Sequence, residues 1–206
     1  MGNGQAPAGI SLDSSLDDGT LVRADSPAPG VIGLDSKGGD AKGPAPSMAD
    51  RIVSFARRQR GRRVGDGECY TLADQALRGA GAKSARDYGT ITPNADYVWG
   101  SSVNLSELRP GDVIQFRDYS YRRVDETEDE SGTTTNEVEE ERPHHTAIVQ
   151  SVDGNGAVTV LEQNSPEGSA VRSTPLFFSN RTTTHGNTTT RITVRGTFWF
   201  YRPESQ

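Results

Sequence analysis

Four residues in this chain could together do thiol chemistry: one cysteine, one of two adjacent histidines, and a Glu-x-Asn pair. Cys69 is the sole cysteine of the 206 residues and lies in Gly-Asp-Gly-Glu-Cys-Tyr-Thr-Leu. Behind it Leu72, Ala73, Ala76 and Leu77 recur at helical spacing, and Gly79 and Gly81 end the run. The spacing therefore predicts a helix with the thiol on its first turn. Unpaired N–H groups and the positive end of the helix dipole favour thiolate there. A thiolate so placed is a candidate nucleophile; the alternative is a small buried core residue. A nucleophile needs a base, and the base needs an orienting group. The histidines are His144, His145 and His185. His185 lies in a Thr-rich polar stretch and reads as exposed. His144 and His145 open an alternating segment, so they face opposite ways, and the apolar pattern alone does not choose between them. Glu162 and Asn164 lie two apart on the next predicted strand, hence on one face. A carboxylate and an amide opposite an imidazole could fix its tautomer and support its charged form. Taken singly, Glu162 reads as solvent-facing and Asn164 as the start of a turn.

Other chemistries fit poorly. One cysteine and three histidines, two of them adjacent, match no common zinc spacing, and no alternating acidic loop with a glycine suggests calcium. No metal or other cofactor is expected. The formal net charge of −6 is uneven, since nine acidic residues and no Lys or Arg lie between Val124 and Glu141. The remainder carries 19 acidic against 22 basic residues, about +3. No basic stripe with interleaved aromatics is present, which argues against nucleic acid. No run is long enough to span a membrane and the first residues lack a secretory pattern. A cytoplasmic location is the default expectation, with export by a route lacking a signal peptide as the alternative. A lone cysteine excludes an internal disulfide.

The elements that must position these residues are readable in part. Residues 1–46 are rich in Gly, Ala, Ser, Asp and Pro and read as a disordered tail. Ser47 with Asp50 marks the start of a helix running to about Arg60, with Met48, Ile52, Phe55 and Ala56 on one face. The following arginines, 57, 58, 60, 62 and 63, read as a solvated cluster, or alternatively as an anchor for an anionic ligand. Trp99 is expected in the core. Leu-Arg-Pro-Gly-Asp-Val-Ile-Gln-Phe reads as a turn feeding a buried strand, Val113 to Phe116. Residues 118–142 read as an acidic, mobile loop insertion, with 125–141 open to a binding partner, and 179–191 as a polar loop. Strands are expected at His144 to Val152, Ala157 to Asn164, Ala170 to Thr174 and Thr193 to Tyr201. Two helices followed by an antiparallel meander argue for α+β, the helices on one side of a sheet of about five to six strands.

Four pieces in this order, GDGECYTLA, RPGDVIQF, HHTAIV and VLEQN, resemble the successive motifs of the CHAP family, cysteine- and histidine-dependent amidohydrolases/peptidases with a papain-like core. The resemblance covers roughly residues 50–202. It implies Cys69 as nucleophile, His145 as base, Glu162 as orienter and Asn164 as a supporting polar group. His145 is preferred because the family's base directly precedes the short apolar strand. The resemblance also implies a cysteine amidase or endopeptidase, often acting on peptidoglycan. The acidic insertion ahead of His145 departs from the family's pattern. Three readings follow: a thiol amidase on cell-wall peptide, the same chemistry on an intracellular protein or small amide, and a non-catalytic member that binds a partner.

Overall fold

In a computed structural model of the chain, residues 45–93, 95–154 and 156–206 are described; the expected tail falls almost wholly outside them. The first helix, α1 (Met48–Arg58), begins as its sequence predicts. Ser47 Oγ accepts from the Asp50 N–H while Asp50 accepts from the Ser47 N–H, a reciprocal cap that satisfies two otherwise orphan donors. Ile52, Val53 and Ala56 form its buried face. The second, α2 (Cys69–Gly79), buries Leu72, Ala73, Ala76 and Leu77 as the helical spacing requires.

Seven strands follow: β1 (Ser101–Val103), β2 (Val113–Asp129), β3 (Gly132–Val152), β4 (Ala157–Glu162), β5 (Arg172–Phe177), β6 (Arg181–His185) and β7 (Thr188–Arg202). Every pairing is antiparallel, in the order β1-β7-β2-β3-β4-β5, with β6 on β7. The expected α+β layout, a papain-like core of helices on about five to six strands, is thereby overturned. The molecule is mostly antiparallel sheet, and among the described residues only two short α-helices accompany it. The difference lies in the segments read as loops. Residues 118–142 are the far halves of β2 and β3, closed at Asp129 and Gly132, and 179–191 is largely the β6–β7 hairpin. Both are polar and largely exposed to water, the first rich in Glu, Arg and Thr and the second in Thr, and they gain order from strand pairing and cross-strand contacts such as Arg122–Glu137 more than from burial. Sequence polarity hid them.

The sheet buries both faces of its lower half. Val113, Ile148, Leu161 and Val171 pack with the helices and with Trp99. Ile114, Phe116, Ala147, Val149, Val160 and Leu176 face the other way, into a second cluster rich in aromatics. The sheet curls around this second cluster. Tyr119 Oη, on β2, donates to the Phe177 carbonyl at 2.6 Å and accepts the Phe177 N–H at 3.2 Å, tying β2 to the end of β5. The curl needs a break in β2. Asp118 adopts φ 51°, Gly196 opposite it adopts φ 93°, and the β2–β7 register shifts between Arg117 and Ser120. A Cβ on Gly196 would sit 2.1 Å from the Asp118 carbonyl oxygen, so only glycine fits. No helix among the described residues is long and apolar enough to cross a membrane.

Candidate active site

The Cys69 thiol stands on the first residue of α2, with Glu68 as N-cap. The loop ahead of it is braced from within. Asp66 Oδ1 accepts from the Glu68 N–H at 3.0 Å and from the Thr71 hydroxyl at 2.6 Å. It is also braced from the sheet, where the buried Gln163 accepts from the Val64 N–H and donates to the Val64 and Glu68 carbonyls. The cysteine is thus fixed against the end of β4 by backbone bonds on both sides of the Gly-rich turn.

The Cys69 thiol feels the His145 side chain and the Thr146 and Tyr70 backbone N–H groups, each of which favours its thiolate. His145 alternates with Ala147 and Val149, so it lies on the curled face rather than the helix-packed one. It reaches the thiol because β4 pairs with β3 only from Ile148 onward, which leaves the edge of β3 open at that point. On the other side, His145 Nε2 donates to Glu162 Oε2 at 3.0 Å. The ionised carboxylate only accepts, so Nε2 carries the proton and Nδ1 is left to face the sulfur. His144 points instead to the helix side. Its Nε2 donates to the Ala95 carbonyl at 2.8 Å, and its ring packs on Tyr97. His185 is exposed on β6, away from these groups.

Asn164 is not part of this line. β4 ends at Glu162, and Asn164 turns out of the strand with φ 63°, so the two side chains do not share a face. Its amide donates to Glu68 Oε2 and its oxygen accepts from the Gly168 N–H, which shapes the turn after β4. The structure therefore brings Cys69, His145 and Glu162 together and leaves Asn164 as a turn residue. Asp112, of the Pro-Gly-Asp turn, is structural too: buried, it holds Arg202 through both carboxylate oxygens.

Residues 45–203 match the family described as the AIM3/BBC1 cysteine proteinase-fold domain. The chain belongs to that family. It is also 29% identical over 147 residues to "Altered inheritance of mitochondria protein 3" of the yeast Debaryomyces hansenii. That match takes in 66% of this chain and 15% of the relative, so the chain spans a small part of the relative's length. No solved structure matches the chain. Membership of the AIM3/BBC1 family supports the cysteine-proteinase side of the resemblance, but neither the CHAP family itself nor a peptidoglycan substrate.

In this AIM3/BBC1 domain the site is electrostatically poised. Burial, the largest influence, pushes the Cys69 thiol up, yet the hydrogen bond and charge of His145, with the Thr146 and Tyr70 N–H groups, bring it below its ordinary value. Burial likewise pushes His145 down, but Cys69 and Glu162 raise it to about 9. Burial would raise Glu162, while His145 and Arg142 hold it down at about 2. Each charge favours the other: the imidazolium lowers the thiol, and the thiolate raises the imidazole.

Arg142 is the residue that sequence reasoning missed. Its Nε and Nη2 hold Glu162 Oε2 and Oε1 at 2.9 and 2.8 Å, with 2% of the arginine side chain exposed and none of the carboxylate. Plain alternation would set Arg142 and His145, three apart, on opposite faces. Asp118 and Pro143 have no partner in the β2–β3 ladder, and both strands change parity there: Phe116, Tyr119 and Tyr121 all join one cluster, and Arg142 and His145 both reach Glu162. The available signal was a lone basic residue, followed by proline, closing the acidic run.

Proposed function

We propose that this domain is a thiol-dependent hydrolase of amide bonds, acting on a peptide. The observation that carries the reading is the contact of a helix-N-terminal Cys69 with an imidazole whose far nitrogen is held by a buried carboxylate. Cys69 as thiolate attacks the carbonyl carbon, and the carbonyl π pair moves to oxygen. The Cys69 N–H is a candidate donor to that oxyanion. His145, as imidazolium, gives its proton to the leaving nitrogen as the C–N bond breaks, leaving a thioester. It then takes a proton from water, which attacks the thioester and releases acid and thiol. Glu162 holds the ring in the productive tautomer throughout and does not itself take the proton.

A second reading is favoured by one observation. The His145 side chain is only 4% exposed, so the site is narrow and suits a domain that holds a peptide without turning it over. Incubation of the full chain with a fluorogenic peptide library, against Cys69→Ala, separates the two. The hydrolase reading expects cleavage that requires Cys69 and is stopped by iodoacetamide. Binding without cleavage, equal in both proteins, would establish the second reading in its place.

A further inference from the structure

Four ionisable groups form one line and alternate in sign when all are charged: the Cys69 thiol, the His145 imidazole, the Glu162 carboxyl and the Arg142 guanidinium. We propose that Arg142 is a positioning residue for this site, fixing Glu162 in place and in charge and thereby setting the pH at which Cys69 becomes a thiolate. The inference rests on Cys69 being the reactive group of the proposed function, and it adds a fourth member to the line.

The surroundings leave Arg142 this role. Glu162 is faced from β3 by His145 and Arg142, and from β5 by Arg172, whose Nε stands 3.6 Å from Oε1 and makes no hydrogen bond. Tyr119 and Tyr121 of β2 lie within electrostatic range of it, and burial pushes both of their hydroxyls up, so they stay neutral. Arg142 is faced by Glu162, by Glu140 Oε2 at 3.0 Å and by the Glu141 carbonyl at 2.6 Å. Cys69 is faced by His145, by the Thr146 and Tyr70 backbone and, within electrostatic range, by Tyr97. Among the described residues only Arg142 meets both carboxylate oxygens of Glu162 within hydrogen-bond distance.

With all four groups ionised the line is neutral. Without the guanidinium it carries one net negative charge in a buried site, and an unpaired buried charge is expensive. The line sheds that charge by taking up a proton, at the thiolate or at Glu162. Proton uptake at Glu162 weakens the hold on the imidazolium, and with it the thiolate. Both routes disfavour the reactive form. A planar fork also fixes the carboxylate plane, which a single ammonium does not.

The test reads the rate of Cys69 alkylation by iodoacetamide from pH 4.5 to 9 on the full chain, with a thermal melt to confirm folding. Wild type is measured first: no alkylation below pH 8 would remove the nucleophile reading, and this inference with it. Given an activated wild type, Arg142→Met is expected to move the acid limb upward by about one unit, roughly tenfold slower alkylation at pH 6. In a Glu162→Gln background the same change is expected to add little, since Arg142 acts through Glu162. An unmoved limb in Arg142→Met, or an equal additional loss in the double variant, would overturn the proposal. If Arg142→Met does not fold, Arg142→Lys decides: a smaller upward shift is expected, and a wild-type profile would overturn it.

Discussion

At the scale of single residues, the arrangement separates two adjacent histidines by what they touch. His145 spans thiol and carboxylate, whereas His144 holds the Ala95 carbonyl and packs on Tyr97. His145→Ala is therefore expected to abolish rapid alkylation at pH 6 and any peptide cleavage, while His144→Ala keeps most of both; the reverse ranking in these assays would remove His145 as base. The same groups set a pH dependence of stability. Glu162, depressed in the fold to about 2 from an unfolded value of roughly 4.3, contributes stability that is fully present above that unfolded value and is lost as pH falls toward 2. His145, raised to about 9 from roughly 6.5, contributes stability that is full below 6.5 and is lost as pH rises through 9. Cys69, lowered in the fold, acts with the opposite sign: its contribution is full above its unfolded value of roughly 8.5 and is lost as pH falls, so it offsets the His145 loss between about pH 6.5 and 8.5. Urea midpoints should thus fall as pH drops toward 2 and change little from about pH 6.5 to 8.5. Cys69→Ser removes that offset together with the thiolate, and is expected to leave the acid part of the loss unchanged.

Among the elements, the long β2–β3 hairpin deserves its acidic residues for a physical reason. Along residues 132–147 β3 pairs only with β2 among the described strands, so its other edge offers unpaired backbone groups. Such edges template association unless charge guards them. Exposed Glu137, Glu139 and Glu141 alternate along this edge beside Val138, which is 41% exposed. Replacing all three glutamates by glutamine is expected to raise self-association, read by light scattering at low salt, with the melting temperature little changed because the one ion pair this removes, Arg122–Glu137, is exposed to solvent. A monomeric triple variant would count against this account of the acidic run. The mobile loop expected from the sequence is a ladder instead, and hydrogen exchange should show it. Amides of β2 from Ser120 to Thr127, flanked by β3 and β7, should exchange more slowly than those of 133–141 at the edge.

At the scale of the whole molecule, the site depends on a sheet that curls on itself. The second cluster, Phe116, Tyr119, Phe178, Phe198 and Phe200, fills the curl with stacked, tilted and edge-on aromatic contacts at 5.0 to 6.0 Å. Tyr119, 1% exposed, closes it through its hydroxyl to both backbone groups of Phe177. Tyr119→Phe keeps the packing but strands a buried N–H and C=O, and is expected to lower unfolding free energy by about 1–3 kcal/mol in a denaturant titration. An effect below a few tenths would mean that the curl is held by packing alone. Since His145 and Glu162 both project into this curled face, the same variant is also expected to slow alkylation of Cys69.

The sequence by itself determined the local matters. Helical spacing behind Cys69 put the thiol on a first turn, the Ser47–Asp50 cap marked the start of α1, and alternation marked the buried strands. Those signals are short-range, since each reflects backbone and side-chain preferences within one or two turns. What the tertiary structure alone decided is long-range or turns on a single irregular residue. Asn164 left the expected face because β4 stops at Glu162. His145 reached the thiol through an open strand edge rather than by facing the helices. Arg142 joined the site because both strands change parity at Asp118 and Pro143, which no period of two anticipates. Polar strands such as β6 and the far half of β3 bury little, so composition could not distinguish them from loops; their order comes from partners that are neighbours only after folding.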